Sequence, residues 1–234
     1  MPQQPTVGFI GFGLMGTPIA LKLQAAGYPM RVWGRTPDKL RPALAQGAEE
    51  AASPKHLAEE CDIVLLCVTD TNAVETVVFG ENGIAEGGRS GTVLVDHSSI
   101  KPDATRGFAA RIEAACGMHW LDAPVSGGPA GVERGSLVVM AGGNESAFEK
   151  VREIVAAYAA RFTLMGPSGA GQSTKLINQT LVAAHVAVVA EATQLALDAG
   201  IDAKLIPGAL AGGRADSVVL QDFMGRMIDR DFTP

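Results

Sequence analysis

The chain has 234 residues, of which 47% are apolar, 19% charged and only 5% aromatic, with 28 glycines and a formal net charge of -6. A chain of this length and apolar share buries a core of its own, which excludes a disordered protein and leaves Ala, Val, Leu and Ile to build the interior. The acidic balance excludes the basic face that a nucleic-acid or anionic-membrane partner requires, while a small anion can still be held by a few local donors.

Cys61, Cys67 and Cys116 have neither the even count nor the spacing of a disulfide framework or zinc site, and they read as reduced core residues. No metal is expected. With no leader of charged, apolar and then small residues, and no apolar run judged long enough to span a bilayer, the expectation is a soluble cytoplasmic protein.

Residues 6–10 form a short β-branched run, and apolar residues recur at helical spacing over 14–26 until Gly27 stops them, which makes a βα unit. A second strand at 30–33 leads to Thr36, placed to cap a helix that Pro37 starts. Continuous apolar runs at 62–68 and 92–96 read as strands covered on both faces, with a helix near 71–78 between them. A helix over 102–115 follows, then strands near 118–122, 137–141 and 161–165, with a helix over 145–159 between the last two. Such alternation predicts an α/β domain with a doubly wound sheet.

Beyond Gly171 no strand signal remains, and residues 181–197 (LVAAHVAVVAEATQLAL) are apolar nearly all the way round, so that helix is expected to be buried on most sides. Too few residues follow to surround it. The predicted organisation is a Rossmann domain over 1–166 and an all-α substrate and dimerisation domain over 167–234, completed by another subunit in a homodimer or homotetramer.

Gly11, Gly13 and Gly16 match GxGxxG between a strand and a helix. There the first glycine permits a tight turn, the second lets a pyrophosphate approach the backbone, and the third lets helix and strand pack closely, with the helix N-terminus facing the anion. The alternative is a plain βα corner. At the end of the second strand, where a carboxylate would bond the ribose 2′-hydroxyl of NAD, the chain has Gly34, Arg35 and Thr36. A guanidinium beside a hydroxyl suits a 2′-phosphate, so NADP is expected, with NAD possible. The cofactor is assigned to Gly11, Gly13, Leu14, Met15, Gly16, Arg35, Thr36, Val68, Thr69 and Ser98. Ser98 and its neighbour Ser99 follow a strand end, which equally suits a helix cap.

Three further stretches are DHSSI at 96–100, DAPVSGGPAG at 122–131 and GPSGAGQSTKLINQ at 166–179. In the second, the Ser126 hydroxyl and the N–H groups of Gly127 and Gly128 can form a nest for a carboxylate. In the third, Asn178 and Gln179 follow Lys175 by three and four residues and share its helix face.

Together with GFIGFGLMG these stretches resemble the β-hydroxyacid dehydrogenase family, which includes 3-hydroxyisobutyrate dehydrogenase, 2-hydroxy-3-oxopropionate (tartronate semialdehyde) reductase and the glyoxylate and succinic semialdehyde reductases. The resemblance covers essentially the whole chain, in order. It implies that Lys175 is the catalytic acid/base, that Ser126, Gly127 and Gly128 hold a small carboxylate-bearing substrate, and that Asn178 or Gln179 helps hold lysine and substrate. Hydride then passes between nicotinamide and carbonyl carbon while the Lys175 ammonium protonates the oxygen, and alcohol oxidation needs a higher pH than reduction. Imine reductases share this scaffold but usually replace the lysine.

His56, His97, His119 and His185 show no ligand or triad spacing and are expected to be structural, as are Asp122 at a strand end and the packing residues Trp120 and Tyr158. Glu191 is expected at an interface or interdomain bond. Lys22 stands where family members commonly carry asparagine. The chain ends at DFTP, 231–234, where the family usually continues through a Lys-Asp segment that helps close the substrate site. Beside the reductase stands the alternative of a truncated cofactor-binding module with little turnover.

Overall fold

The computed structural model describes residues 4–231 and 233, so Phe232 and Pro234 of the closing DFTP lie outside the described residues. Two compact units divide the chain, Met1–Lys175 and Leu176–Pro234.

In the first unit, β1 (Val7–Ile10), β2 (Met30–Trp33), β3 (Glu49–Glu50), β4 (Ile63–Leu66), β5 (Val93–Asp96) and β6 (His119–Asp122) pair in parallel in the order 3-2-1-4-5-6. That is the order of a dinucleotide-binding sheet, whose ligand sits outside the carboxyl ends of the strands where the order reverses. An extension departs from it. Beyond β6 come β7 (Val125–Ser126), β8 (Val138–Gly142) and β9 (Arg161–Gly166), with β8 antiparallel to both β6 and β7 and parallel to β9.

Side-chain alternation explains how helices cover both faces. Val7, Phe9, Ile63, Leu65, Val93 and Val95 pack on one face with Ile19, Ala20 and Leu23 of α1 (Gly16–Ala25). Ile10, Val64, Leu66 and Leu94 point the other way. They meet Leu57 of the helix α3 (Pro54–Glu60), which follows the short α2 (Arg41–Leu44), and Val74, Val77 and Val78 of α4 (Thr71–Phe79). After α5 (Ile84–Gly87), α6 (Pro102–Cys116) adds Phe108 and Ile112 to the same face. Truncating one of these fully buried leucines to alanine costs about 2–5 kcal/mol.

Helix ends follow local chemistry. Ser53, Asp70 and Asn144 accept backbone N–H groups at the starts of α3, α4 and α8 (Glu145–Ala156), which follows the short α7 (Gly128–Glu133). Gly117 ends α6 at φ 73, a conformation that glycine adopts without Cβ strain. At Thr36 the expected hydroxyl cap is not made. Pro37 opens a 3-10 turn instead, Pro37–Leu40, with Lys39 N–H bonded to the Thr36 carbonyl.

The long helix α9 (Ala170–Asp198) starts in the first unit and runs into the second, which also holds α10 (Ile206–Leu210) and α11 (Val218–Ile228). Val189, Leu220 and Met224 form a small core there, flanked by Ile206, Val219, Met227 and Ile228. Within a single chain residues 181–197 stay largely uncovered, with Leu181 56%, Val188 66% and Leu195 70% exposed; the expected burial was to be completed by another subunit. Two short helices supply one stripe of contact, and a helix that is apolar all round has more faces than they cover. By length and composition α9 also qualifies as a membrane span, contrary to the expectation that no run reaches that length. Those criteria do not distinguish it from a helix that packs against protein.

Candidate functional site

Each glycine of the first turn has a separate steric reason. Gly11 has φ +106, and a Cβ there would lie 2.0 Å from the Cys67 carbonyl oxygen, so no side chain fits between β1 and the end of β4. A Cβ at Gly16 would lie 1.8 Å from the Gly11 carbonyl oxygen, closing α1 against the turn. At Gly13, by contrast, nothing lies within 4 Å. Gly13 and Leu14 are exposed just before α1, and Met15 stands at its N-cap position without a side-chain capping bond. Backbone N–H groups at a helix start, facing open space beside a residue without a side chain, fit a dinucleotide pyrophosphate.

The carboxyl ends of neighbouring strands supply the rest of this edge. Arg35 and Thr36 are exposed just past β2, and the Thr36 hydroxyl is not spent on a cap. Past β4, the Thr69 hydroxyl donates to Asp70 Oδ2 at 3.0 Å while Asp70 Oδ1 accepts the Ala73 N–H at 2.9 Å. These two bonds hold the Asp70 carboxyl below its ordinary range, with a smaller contribution from the positive charge of Arg35. Ser98 is buried, and its hydroxyl accepts the Val68 N–H at 3.0 Å, while its own N–H donates to Asp96 Oδ1 at 2.9 Å. The Ser98 side chain therefore points inward, where it ties the β4 loop to the β5 loop and so positions Val68.

At the other end of the sheet, Val125 and Ser126 make up β7, and the exposed glycines Gly127 and Gly128 follow with φ +126 and +63. Positive φ at both positions is a conformation that glycine adopts without Cβ strain, and neither glycine carries a side chain to block its N–H group. Lys175, partly buried in α9, donates from Nζ to the Val125 carbonyl at 2.8 Å. That places an ammonium one residue from Ser126. Burial lowers the lysine's pKa from its ordinary value. Asn178 and Gln179 fall in the second unit, where Asn178 Nδ2 donates to Gln179 Oε1 at 3.0 Å.

Behind this edge lies a layer of buried polar groups. His97 contacts the Ala123 carbonyl through Nδ1 at 2.6 Å and the Tyr158 hydroxyl through Nε2 at 2.8 Å. Burial pushes it down to about 4, so the ring is neutral, Nδ1–H donates to Ala123 and Nε2 accepts from Tyr158. Its structural role matches the expectation. Asp96 and Asp122 face each other in register on β5 and β6, and burial raises them to about 7 and about 6. Two members of this layer were not singled out by the sequence as site residues: Asp122 was read as a strand end, and Gln172 was not read at all. Their partners lie about fifty residues away or more, beyond any local pattern.

Strand order and the open glycine turn define a dinucleotide-binding protein of the Rossmann class. Residues 6–166 match the family described as the NAD binding domain of 6-phosphogluconate dehydrogenase, and 169–234 match NAD-binding of NADP-dependent 3-hydroxyisobutyrate dehydrogenase. A 2-hydroxy-3-oxopropionate reductase of Escherichia coli (strain K12) is 41% identical over 97% of this chain and 77% of its own. Solved structures agree. A 3-hydroxyisobutyrate dehydrogenase of Mycobacterium tuberculosis with L-serine aligns at TM-score 0.87 and 28% identity over 99% of this chain and 81% of its own. Psf3 in complex with NADP+ and 2-OPP aligns at TM-score 0.88 and 27% identity over 96% and 79%. The chain belongs to the β-hydroxyacid dehydrogenase family and is an NAD(P)-binding oxidoreductase.

Proposed function

We propose that this chain is an NADP-preferring reductase of small 3-oxo acids, with 2-hydroxy-3-oxopropionate the first candidate substrate. Methylmalonate semialdehyde, glyoxylate and succinic semialdehyde are the alternatives. The observation that supports it best is the 2.8 Å contact of Lys175 Nζ with the Val125 carbonyl, because it sets a cation beside the serine and glycines that suit a carboxylate. The 41% identity to a 2-hydroxy-3-oxopropionate reductase favours that acid over the others.

Gly11, Gly13, Leu14, Met15 and Gly16 hold the pyrophosphate, Arg35 and Thr36 hold the 2′-phosphate, and Val68, Thr69 and the Ser98 loop flank the remainder of the dinucleotide. When bound, the nicotinamide supplies or accepts a hydride. Ser126 and the Gly127 and Gly128 N–H groups fix the substrate carboxylate and so orient its carbonyl. The Lys175 ammonium donates a proton to the carbonyl oxygen and stabilises the charge that develops there. Burial lowers the lysine's pKa, which eases the reverse role as base.

Residues 1–166 act as the cofactor domain and 167–234 as a helical domain for substrate and self-association, in a cytoplasmic homodimer or homotetramer. The exposed apolar side chains of α9 support the self-association. NADPH consumption, followed across a panel of 2-hydroxy-3-oxopropionate, methylmalonate semialdehyde, succinic semialdehyde and glyoxylate, tests the activity. No consumption with any of the four rejects it.

A further inference from the structure

Asp122 ends β6 with no exposed surface, and its two carboxylate oxygens are both spent on the start of α9. Oδ1 accepts the Gly169 N–H at 2.8 Å, and Oδ2 accepts the Gln172 N–H at 2.9 Å. The first N–H groups of a helix have no partner within it, and α9 takes this one from another strand instead of from its own preceding residue. A carboxylate at that position also complements the positive end of the helix dipole.

The surrounding backbone leaves no room for a different arrangement. A Cβ on Gly142 of β8 would lie 2.7 Å from Asp122 Oδ1 and 2.8 Å from the backbone nitrogens of Ala170 and Gly171. One on Gly171 would lie 2.5 Å from the Met140 carbonyl oxygen and 2.6 Å from that of Asp122. Gln172, 1% exposed, completes the attachment on the opposite side: Nε2 donates to the Ser98 carbonyl at 2.7 Å and Oε1 accepts the Ile100 N–H at 3.1 Å. The first turn of α9 is thus bonded to the loop after β5 and to β6, and packed against β8. Lys175 follows within one helical turn, reaching Val125.

We propose that Asp122 is a positioning residue for Lys175: by capping α9 through Gly169 and Gln172, it sets where the lysine ammonium stands beside the Val125–Ser126 strand. This assignment rests on Lys175 being the acid/base. Asp122 itself does not touch Lys175. Its effect passes through the backbone of the helix start, with Gln172 as the second anchor.

Asp122→Asn keeps the side chain's shape but turns an NH2 group toward one of the two backbone N–H groups. The expected result is a fall of about tenfold or more in kcat per NADPH-binding site, on the scale by which a misplacement near 1 Å slows catalysis. The NADPH Kd, read by fluorescence titration, stays within about twofold, because the glycine turn lies on β1 and α1. Amide exchange over 169–172 becomes faster. Gln172→Met, which removes the other anchor, shows the same pattern and serves where Asp122→Asn does not fold. Lys175→Ala runs in parallel and tells two failures apart. Wild-type kcat per NADPH-binding site in the folded positioning variants, with Lys175→Ala inactive, overturns the role of Asp122 alone. Wild-type turnover in Lys175→Ala overturns the lysine's role and this one with it.

Discussion

Two glycine loops at the carboxyl edge of the same sheet work in different ways. The β1–α1 turn is locked by sterics, because a Cβ at Gly11 or Gly16 would lie within about 2 Å of a carbonyl oxygen, and only Gly13 faces open space. The loop after β7 is loose by that measure: a Cβ at Gly127 would meet nothing nearer than 3.5 Å, and at Gly128 nothing within 4 Å. What Gly127 and Gly128 require is positive φ, and the chemistry proposed for them depends on a lysine that α9 brings to the Val125 carbonyl. A cofactor cradle made of backbone alone can be written in three residues. A substrate site of the kind proposed, which borrows its cation, would need long-range anchors such as those proposed for Asp122 and Gln172.

The largest effect that sharpens this contrast comes from Lys175→Ala, which should lower kcat by about 10²–10⁴. It should leave NADPH affinity intact, checked by steady-state kinetics beside a binding titration. Loss of both together breaks the division between the two loops. Next in size is Gly11→Ala, whose methyl meets the Cys67 carbonyl at 2.0 Å under a φ of +106. It should cost several kcal/mol in chemical denaturation, on the order of other severe backbone conflicts. Gly13→Ala, with nothing within 4 Å, should unfold like the wild type and yet bind NADPH more weakly, since the added methyl fills the space that the pyrophosphate needs.

A smaller, selective change is expected from Arg35→Asp. Exchanging a cation for an anion at the end of β2 should raise the ratio of NADP to NAD dissociation constants by about tenfold or more, the scale of a charge-assisted hydrogen bond. An unchanged ratio removes Arg35 from cofactor choice. A change that depends on pH concerns Asp96, raised by burial from 3.8 to about 7. The fold holds that proton more tightly than the unfolded chain does. The stability it contributes is therefore complete below about pH 4 and lost as pH rises to about 7. Wild type should lose stability relative to Asp96→Asn between about pH 4 and about pH 7, by at most about 1.4 kcal/mol per pH unit. A difference that does not change with pH contradicts the burial argument.

The two loops also differ in how far they could be read before the coordinates. GxGxxG between a strand and a helix is local chemistry, and all three steric roles follow from spacing. Strands such as β4 and β5 were legible for the same reason, as continuous apolar runs covered on both faces. The two-residue strands β3 and β7, and short helices such as α5, are below the length at which periodicity means anything. The antiparallel course of β8 was hidden too, because a buried strand looks alike in either direction. Lys175, Ser126 and the glycines were found through family resemblance rather than through spacing. Ser98 was assigned to the cofactor, with a helix cap as the alternative, and the bond its hydroxyl accepts from the Val68 N–H, thirty residues away in the chain, was beyond any local pattern. For α9, apolar composition all round was read as burial completed by another subunit, and within one chain Leu181, Val188 and Leu195 stay exposed, since composition does not say which surface covers a helix.

The most direct test is the pH dependence of alcohol oxidation, since that direction requires the neutral amine of Lys175. The rate should rise with pH through the lysine's lowered pKa, with an inflection below 10.5 that disappears in Lys175→Ala. Oxidation already running at its full rate near about pH 6 in the wild-type enzyme, with no such inflection, contradicts the lysine as acid and base.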